Sequence, residues 1–324
     1  MKKMTIMVGV LSSLLLVAAC GQNTEQKEAT TIEKGNEQPQ VIPSESDFLE
    51  VVKKNKIDHM HGIGYAGNQH AVFLATHGGL RIYYEGTWYK TNKENNDYMG
   101  FSATEKGFYS SGHPGNDSTL KNPIGLVKTS DYGKTFTKLG FEGESDFHYM
   151  AAGYNHGTIY VVNEQKNSKL GTGMYVTTDE GKSWKPSKLG GTIPNQVGGM
   201  VTHPQKEGWI ALSSPEGVFL STDYGNTFEQ YTDKIPVTAI YFSENELLFA
   251  TNDNDNKLFV KNLDSEDITE IKFPKLNNDD MIMFIAENPQ NDQEIVIATM
   301  NNNVLITKDR GETWDSIMKD GITQ

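Results

Sequence analysis

Five histidines and four aspartates carry the side chains best suited to chemistry. His59, His61, His77, His113 and His148 bring imidazole; Asp58, Asp97, Asp146 and Asp280 bring carboxylate. In "HMHGIGY" the first two histidines stand two residues apart, so on an extended strand both point to one face. Neutral imidazole ligates a divalent transition metal such as Zn²⁺ or Cu²⁺, with an aspartate completing the shell or orienting a ring. Gathered around a pocket, the same side chains can instead hold a polar small molecule. Two of the carboxylates facing each other across a glycosidic bond could hydrolyse it. Tyr98, Tyr149, Met60, Met99 and Met150 adjoin these positions. Taken singly, each histidine reads as a polar residue on a loop or wall. Whether the fold gathers them decides the chemistry.

Repetition supplies the frame. "TSDYGKTF" (129–136), "TTDEGKSW" (177–184), "STDYGNTF" (221–228) and "TKDRGETW" (307–314) keep a hydroxyl, an Asp, a Gly, a second hydroxyl and an aromatic at fixed offsets. Asp131, Asp179, Asp223 and Asp309 are spaced by 48, 44 and 86 residues, the last about twice the others. A degenerate copy, "NLDSEDIT", fills the gap at 262–269, and "YYEGTW" at 83–88 precedes the first full copy by one period. Units of this length are propeller blades. The Asp accepts bonds from nearby backbone amides, the Gly takes the positive φ of a tight turn, and the aromatic wedges between units. One fixed carboxylate per copy is too few for a calcium loop, which needs six to eight oxygens. Gly133 with Phe136, Gly181 with Trp184, Gly225 with Phe228 and Gly311 with Trp314 complete the four structural motifs.

The spacing predicts an all-β chain: a β-propeller of six four-stranded blades over 57–320, with seven blades the alternative. Residues 46–54 either lie against the barrel or add an edge strand. With strands lettered A to D outward from the channel, the four motifs fall in C–D turns, which share a face with the A–B turns. The five histidines named above fall on the opposite face, on three adjacent blades, and Asp58, Asp97, Asp146 and Asp280 each lie just before a strand A. His70, His156 and His203 fall in A–B turns.

The four motifs resemble Asp-boxes, or BNR repeats, found in sialidases, other glycoside hydrolases, sortilin-type ectodomains and a photosystem II assembly factor. That resemblance covers about residues 57–320 and implies a β-propeller, not an activity. Together with "HMHGIGY", "ATHGGL" and "SGHP", the whole chain is similar to small bacterial lipoproteins named glycosyl hydrolases for their BNR repeats. Sialidases of this fold clamp the substrate carboxylate with three arginines, whereas this chain has only Arg81 and Arg310, the second inside an Asp-box turn. A sialidase is therefore excluded. No G-x-S-x-G elbow, P-loop or H-E-x-x-H is present. Two functions remain open: a ligand- or metal-binding propeller, and a glycoside hydrolase acting on a neutral or cell-wall glycan.

At the N-terminus, Lys2 and Lys3 precede an apolar run ending in "VAAC", which reads as a secretory leader over 1–19 and resembles a lipobox. Cys20, the only cysteine, would carry the lipid. Residues 20–45 are polar, as a tether should be, and 46–324 form the propeller domain. The expected location is extracytoplasmic, with the membrane reached only through the lipid. The formal charge of −13 becomes −15 when the leader takes its two lysines with it. Such a surface repels nucleic acid, leaving a metal, a small molecule, a glycan or an extracytoplasmic protein as partner.

Overall fold

Turn chemistry fixes where the strands end. In the third blade, Thr177 Oγ1 donates to Asp179 Oδ1 at 2.7 Å, while the Ser183 amide and hydroxyl donate to Oδ1 and Oδ2 at 2.8 and 2.6 Å. Gly181 N closes the turn on Thr177 Oγ1 at 2.9 Å. The same bonds recur at Asp131, Asp223 and Asp309. In all four turns the Gly has positive φ, and so does the residue before it. Hydrogen bonds from Ser183 and from Thr313 hold Asp179 and Asp309 down to about 2. The degenerate copies solve the same problem differently. Asn262 Oδ1 accepts from the amides of Asp264 and Ser265, taking the hydroxyl's place. Glu85-Gly86 forms a tight hairpin turn with both φ positive.

The computed structural model describes residues 48–324, so the leader, Cys20 and the tether lie outside the described residues. The described residues form six sheets, antiparallel except for one two-residue pairing, and no helix, hence none long and apolar enough to cross a membrane. The innermost strands are Met60–Gly64, Asp97–Thr104, Met150–Ala152, Gly199–Thr202, Val237–Phe242 and Ile282–Asn288. Each neighbours the next, and the last neighbours the first, so the ring is closed. Six blades is therefore the answer, not seven. Three blades exceed four strands. Leu49–Val52 pairs with Thr87–Thr91 at the edge of blade 1, Gly190–Gly191 runs parallel to Thr227–Gln230 in blade 4, and Ile322–Thr323 edges blade 6.

Apolar side chains between adjacent sheets form the core. Phe73, Leu80, Ile82, Tyr98 and Phe108 fill the space between blades 1 and 2, with Phe136 of the Asp-box packed against them. Ile57, Leu74, Trp88, Val304 and Met318 seal blade 6 against blade 1. Among the described residues no strand is exchanged at this seam. The seam is instead fastened by backbone bonds from Ile57 N to Gly321 O (2.7 Å) and Thr323 N to Asn55 O (3.1 Å), and by Trp88 Nε1 donating to Ile317 O (3.1 Å).

On the Asp-box face the A–B turns interlock. His156 Nε2 donates to His203 O and His203 Nε2 to Glu244 O, both at 3.0 Å, while His70 Nδ1 accepts from Asn288 at 3.1 Å. These three histidines are structural links on the face opposite the candidate site.

Candidate metal centre

The inner strands enclose a central channel of about 390 Å³, lined by residues of all six blades. The open mouth is made by D–A and B–C loops. His59 lies in the loop entering strand A of blade 1. A β-bulge between Met60 and Gly62 turns His61 toward the channel while Met60 goes into the core. His77 directly follows strand B of the same blade (Val72–Thr76), in a turn tied by Thr76 Oγ1 donating to Gly79 O at 2.7 Å. Asp97 opens strand A of blade 2 opposite His113. Its backbone can approach only because residue 112 is glycine: a Cβ there would lie 2.0 Å from Asp97 O.

These loops bring three imidazoles together. His59, His61 and His77 each offer a ring nitrogen, and the three lie within 4.8 Å of one another. The ring centroids are 4.5–5.2 Å apart, two pairs edge-on and one stacked. Asp97 sits against two of them: Oδ2 is 2.9 Å from His77 Nδ1 and Oδ1 is 3.2 Å from His61 Nε2. A nitrogen that faces a carboxylate at hydrogen-bond distance carries the proton, so His77 keeps the lone pair of Nε2 free. Burial pushes the His61 ring down to about 4, against the pull of Asp97 and with the push of His59, His77 and His148. His61 is neutral at physiological pH, the form that ligates.

The other two histidines of the mouth gather separately. His113 Nε2 and His148 Nδ1 lie 3.2 and 3.4 Å from the same oxygen, Oδ2 of Asp146. His113 Nδ1 donates to Asn122 Oδ1 at 2.7 Å. Burial raises the Asp146 carboxyl above its ordinary range, while His148 and His113 oppose the shift. Thus the five histidines share one face, but as a group of three and a group of two.

Two of the four aspartates expected at the mouth leave it. The Asp58 side chain is 84% exposed and reaches Lys56 at 3.5 Å, because the residue turns outward before His59 turns in. Asp280 is buried beneath the B–C loop of blade 6. It accepts from Thr299 Oγ1, Asn303 Nδ2 and the amides of Met281 and Asn301 at 2.7–3.0 Å. Strand A of blade 6 begins at Ile282, so Asp280 ties its own blade together and is not placed to catalyse. Asn122, which anchors His113, was missed in the sequence. It lies in a loop whose composition, "KNPIG", signals a turn and nothing more.

Comparison with known proteins bears on the fold. A family model described as sortilin, neurotensin receptor 3, matches residues 125–273, less than half of the chain. No curated protein matches. Among solved structures, a GH74 enzyme from Niastella koreensis superposes with a TM-score of 0.53 at 15% identity, covering 81% of this chain and 45% of that one. A GH74 xyloglucanase from Xanthomonas campestris gives 0.52 at 12%, covering 83% and 46%. A chain of a nidogen/laminin complex gives 0.54 at 11%, covering 78% and 98%. This chain spans less than half the length of the GH74 proteins, and at such identities the likeness extends to the fold alone. The protein is a six-bladed β-propeller whose fold is similar to that of the GH74 enzymes and which matches a sortilin model over residues 125–273.

Proposed function

We propose that this protein is an extracytoplasmic binding propeller, anchored by lipid at Cys20, that holds a divalent transition-metal ion at its channel mouth. The observation that carries the reading is the convergence of His59, His61 and His77 within 4.8 Å, backed by Asp97. Donors of a tetrahedral ion bound at 2.0–2.1 Å lie about 3.3–3.4 Å apart, so the three nitrogens need draw in by roughly 1 Å. His59 and His77 are both exposed, and His77 keeps its bond to Asp97. Imidazole nitrogen with one carboxylate suits Zn²⁺ or Cu²⁺ better than Ca²⁺ or Mg²⁺, which require oxygen shells. Asp97 orients His77 and supplies negative charge beside the cation.

Glycan hydrolysis is supported less well. Asp58 and Asp280 do not face the channel, and Asp97 and Asp146 are each engaged by two imidazoles. The test is metal analysis of the untagged protein purified from its own host, alongside Zn²⁺ and Cu²⁺ titration of the wild type and His61→Ala. A bound transition metal, with affinity lost in His61→Ala, is the expected result. A metal-free wild type that takes up neither ion would overturn the reading.

A further inference from the structure

We infer that the central channel is itself a binding site for an uncharged, largely apolar small molecule, an alcohol or carbonyl compound that hydrogen-bonds to Ser213. Neither the wall nor the ligand class depends on an ion at the mouth. The wall is marked first by what it leaves out. Asp, Glu, Lys and Arg make up 22% of the chain, yet among the described residues none of them lines this space of about 390 Å³. An ionised group drawn below the histidines would lose its water and meet no opposite charge. The volume falls within the roughly 300–1,000 Å³ of small-molecule sites.

What does line the channel is soft and apolar. Met60, Met99, Met150, Met200, Met283 and Met300 are all part of the wall. Unbranched thioether side chains fill irregular gaps and adapt to a guest. Met283 and Met300, on strand A of blade 6 and just after its strand B, are 37% and 46% exposed. Apolar surface open to solvent therefore starts at the mouth and continues inward. Toward the Asp-box face the wall is aromatic. Tyr154 Oη donates to Asn68 Oδ1 and Tyr241 Oη to Glu287 O, both at 3.0 Å, so these hydroxyls are already engaged and the rings remain to pack against a guest.

Two hydroxyls break the apolar lining. Ser213 and Thr202, both of blade 4, line the channel at 0% and 8% exposure, and neither hydroxyl has a hydrogen-bond partner among the described residues. Leaving a buried hydroxyl unpaired is costly, and a hydroxyl or carbonyl on the guest would relieve it. Ser213 pairs with Gly199 across the sheet. Gly198 and Gly199 put no side chain beside it: a Cβ on either would come within 3.2–3.3 Å of Ser213 Oγ. Thr202 follows three residues farther along strand A, about 10 Å deeper. The polar end of the guest thus binds near the mouth at Ser213, with its apolar body pointing down the channel.

The test is photolabelling of the full chain in its own membranes, treated with a chelator so that an empty or filled metal site leaves the outcome unchanged. The probe is octanol carrying a diazirine, and labelled peptides are mapped by mass spectrometry. Label should fall on the inner strands of several blades and be displaced by octanol, but not by octanoate or octylammonium. From butanol to octanol, each added methylene should strengthen competition by about fourfold. Met283→Lys, which places a charge in the wall, should abolish channel labelling. Ser213→Ala should weaken octanol by about 2- to 10-fold while leaving the melting temperature unchanged or higher, because no bond within the protein is lost. Label confined to outer strands, or octanoate competing as well as octanol, would overturn the inference. Undiminished labelling in Met283→Lys would overturn it too, and equal competition in wild type and Ser213→Ala would refute the bond to Ser213.

Discussion

Replacing Asp97 by Asn tests the metal reading most sharply, because shape is kept and only the charge is lost. Two effects oppose each other. The carboxylate orients His77 and faces His61 at 2.9 and 3.2 Å, and losing such a partner weakens metal binding by about 10- to 100-fold. The same carboxylate also stabilises protonated imidazole, so its removal reduces proton competition. At pH 7.5 that second effect is empty at His61, whose ring already sits at about 4. The loss wins, and Zn²⁺ affinity should fall by about 1.4–2.7 kcal/mol. The assay is competition against a chelator of known affinity. Asp280→Asn is the control. It too is an aspartate before an inner strand, yet its oxygens accept four bonds inside blade 6. There the amide confronts donors, so stability to urea should drop by about 1–3 kcal/mol with Zn²⁺ affinity unchanged. Equal Zn²⁺ affinity in wild type and Asp97→Asn, or equal weakening in both variants, would refute the reasoning.

Three further predictions concern the scaffold. Burial pushes the Glu287 carboxyl up to about 7 despite Arg310 nearby, while the unfolded chain gives up that proton near 4.5; stability therefore drains away between these values as pH rises. Glu287→Gln should be more stable by up to about 3 kcal/mol at pH 8 and nearly neutral at pH 4.5, measured by urea unfolding; the reverse order would be decisive against it. Buried His203 accepts two amide N–H groups at Nδ1 and sits at about 4, so protons favour the unfolded state as pH falls from 6.5. In His203→Gln the loss of stability from pH 6.5 to 4 should be shallower by about 2–3 kcal/mol, and an unchanged slope would exclude this histidine as the cause. Trp88→Phe removes the indole bond across the seam and leaves Ile317 O unpaired, which should cost about 1–3 kcal/mol by thermal melting, against no effect if the seam is held elsewhere.

The blades were legible because an Asp-box is solved within eight residues: Asp179 finds all its partners between Thr177 and Ser183. Face assignment followed from strand order, and it separated His156 and His203 from the mouth. What the sequence could not supply was side-chain direction. Asp58 and Asp97 occupy similar positions before or at an inner strand, yet one points into solvent and the other between two imidazoles. The difference lies in β-bulges at the start of the inner strands of blades 1 and 2, and periodicity cannot locate an extra residue. The division of five histidines into three and two depends on Asp146 and Asn122, partners 33 and 9 residues from His113 along the chain. The short edge strands at 190–191 and 322–323 escaped because two residues make no pattern.

The seam between blades 6 and 1 lies within a few residues of His59 and His61. Asn55, Lys56 and Ile57 are fastened to Gly321, Ile322 and Thr323 at the far end of the chain. If His59 grips an ion as proposed, that ion would draw on the backbone that these last residues hold, and occupancy of the mouth and integrity of the ring would be linked quantities. Linkage is reciprocal: whatever free energy the ion adds to closure, closure returns to the affinity for the ion. Loosening the terminal strand would then be felt as weaker binding, and the propeller would release its ion by relaxing at one joint, with no hinge, lid or second conformation of the channel required.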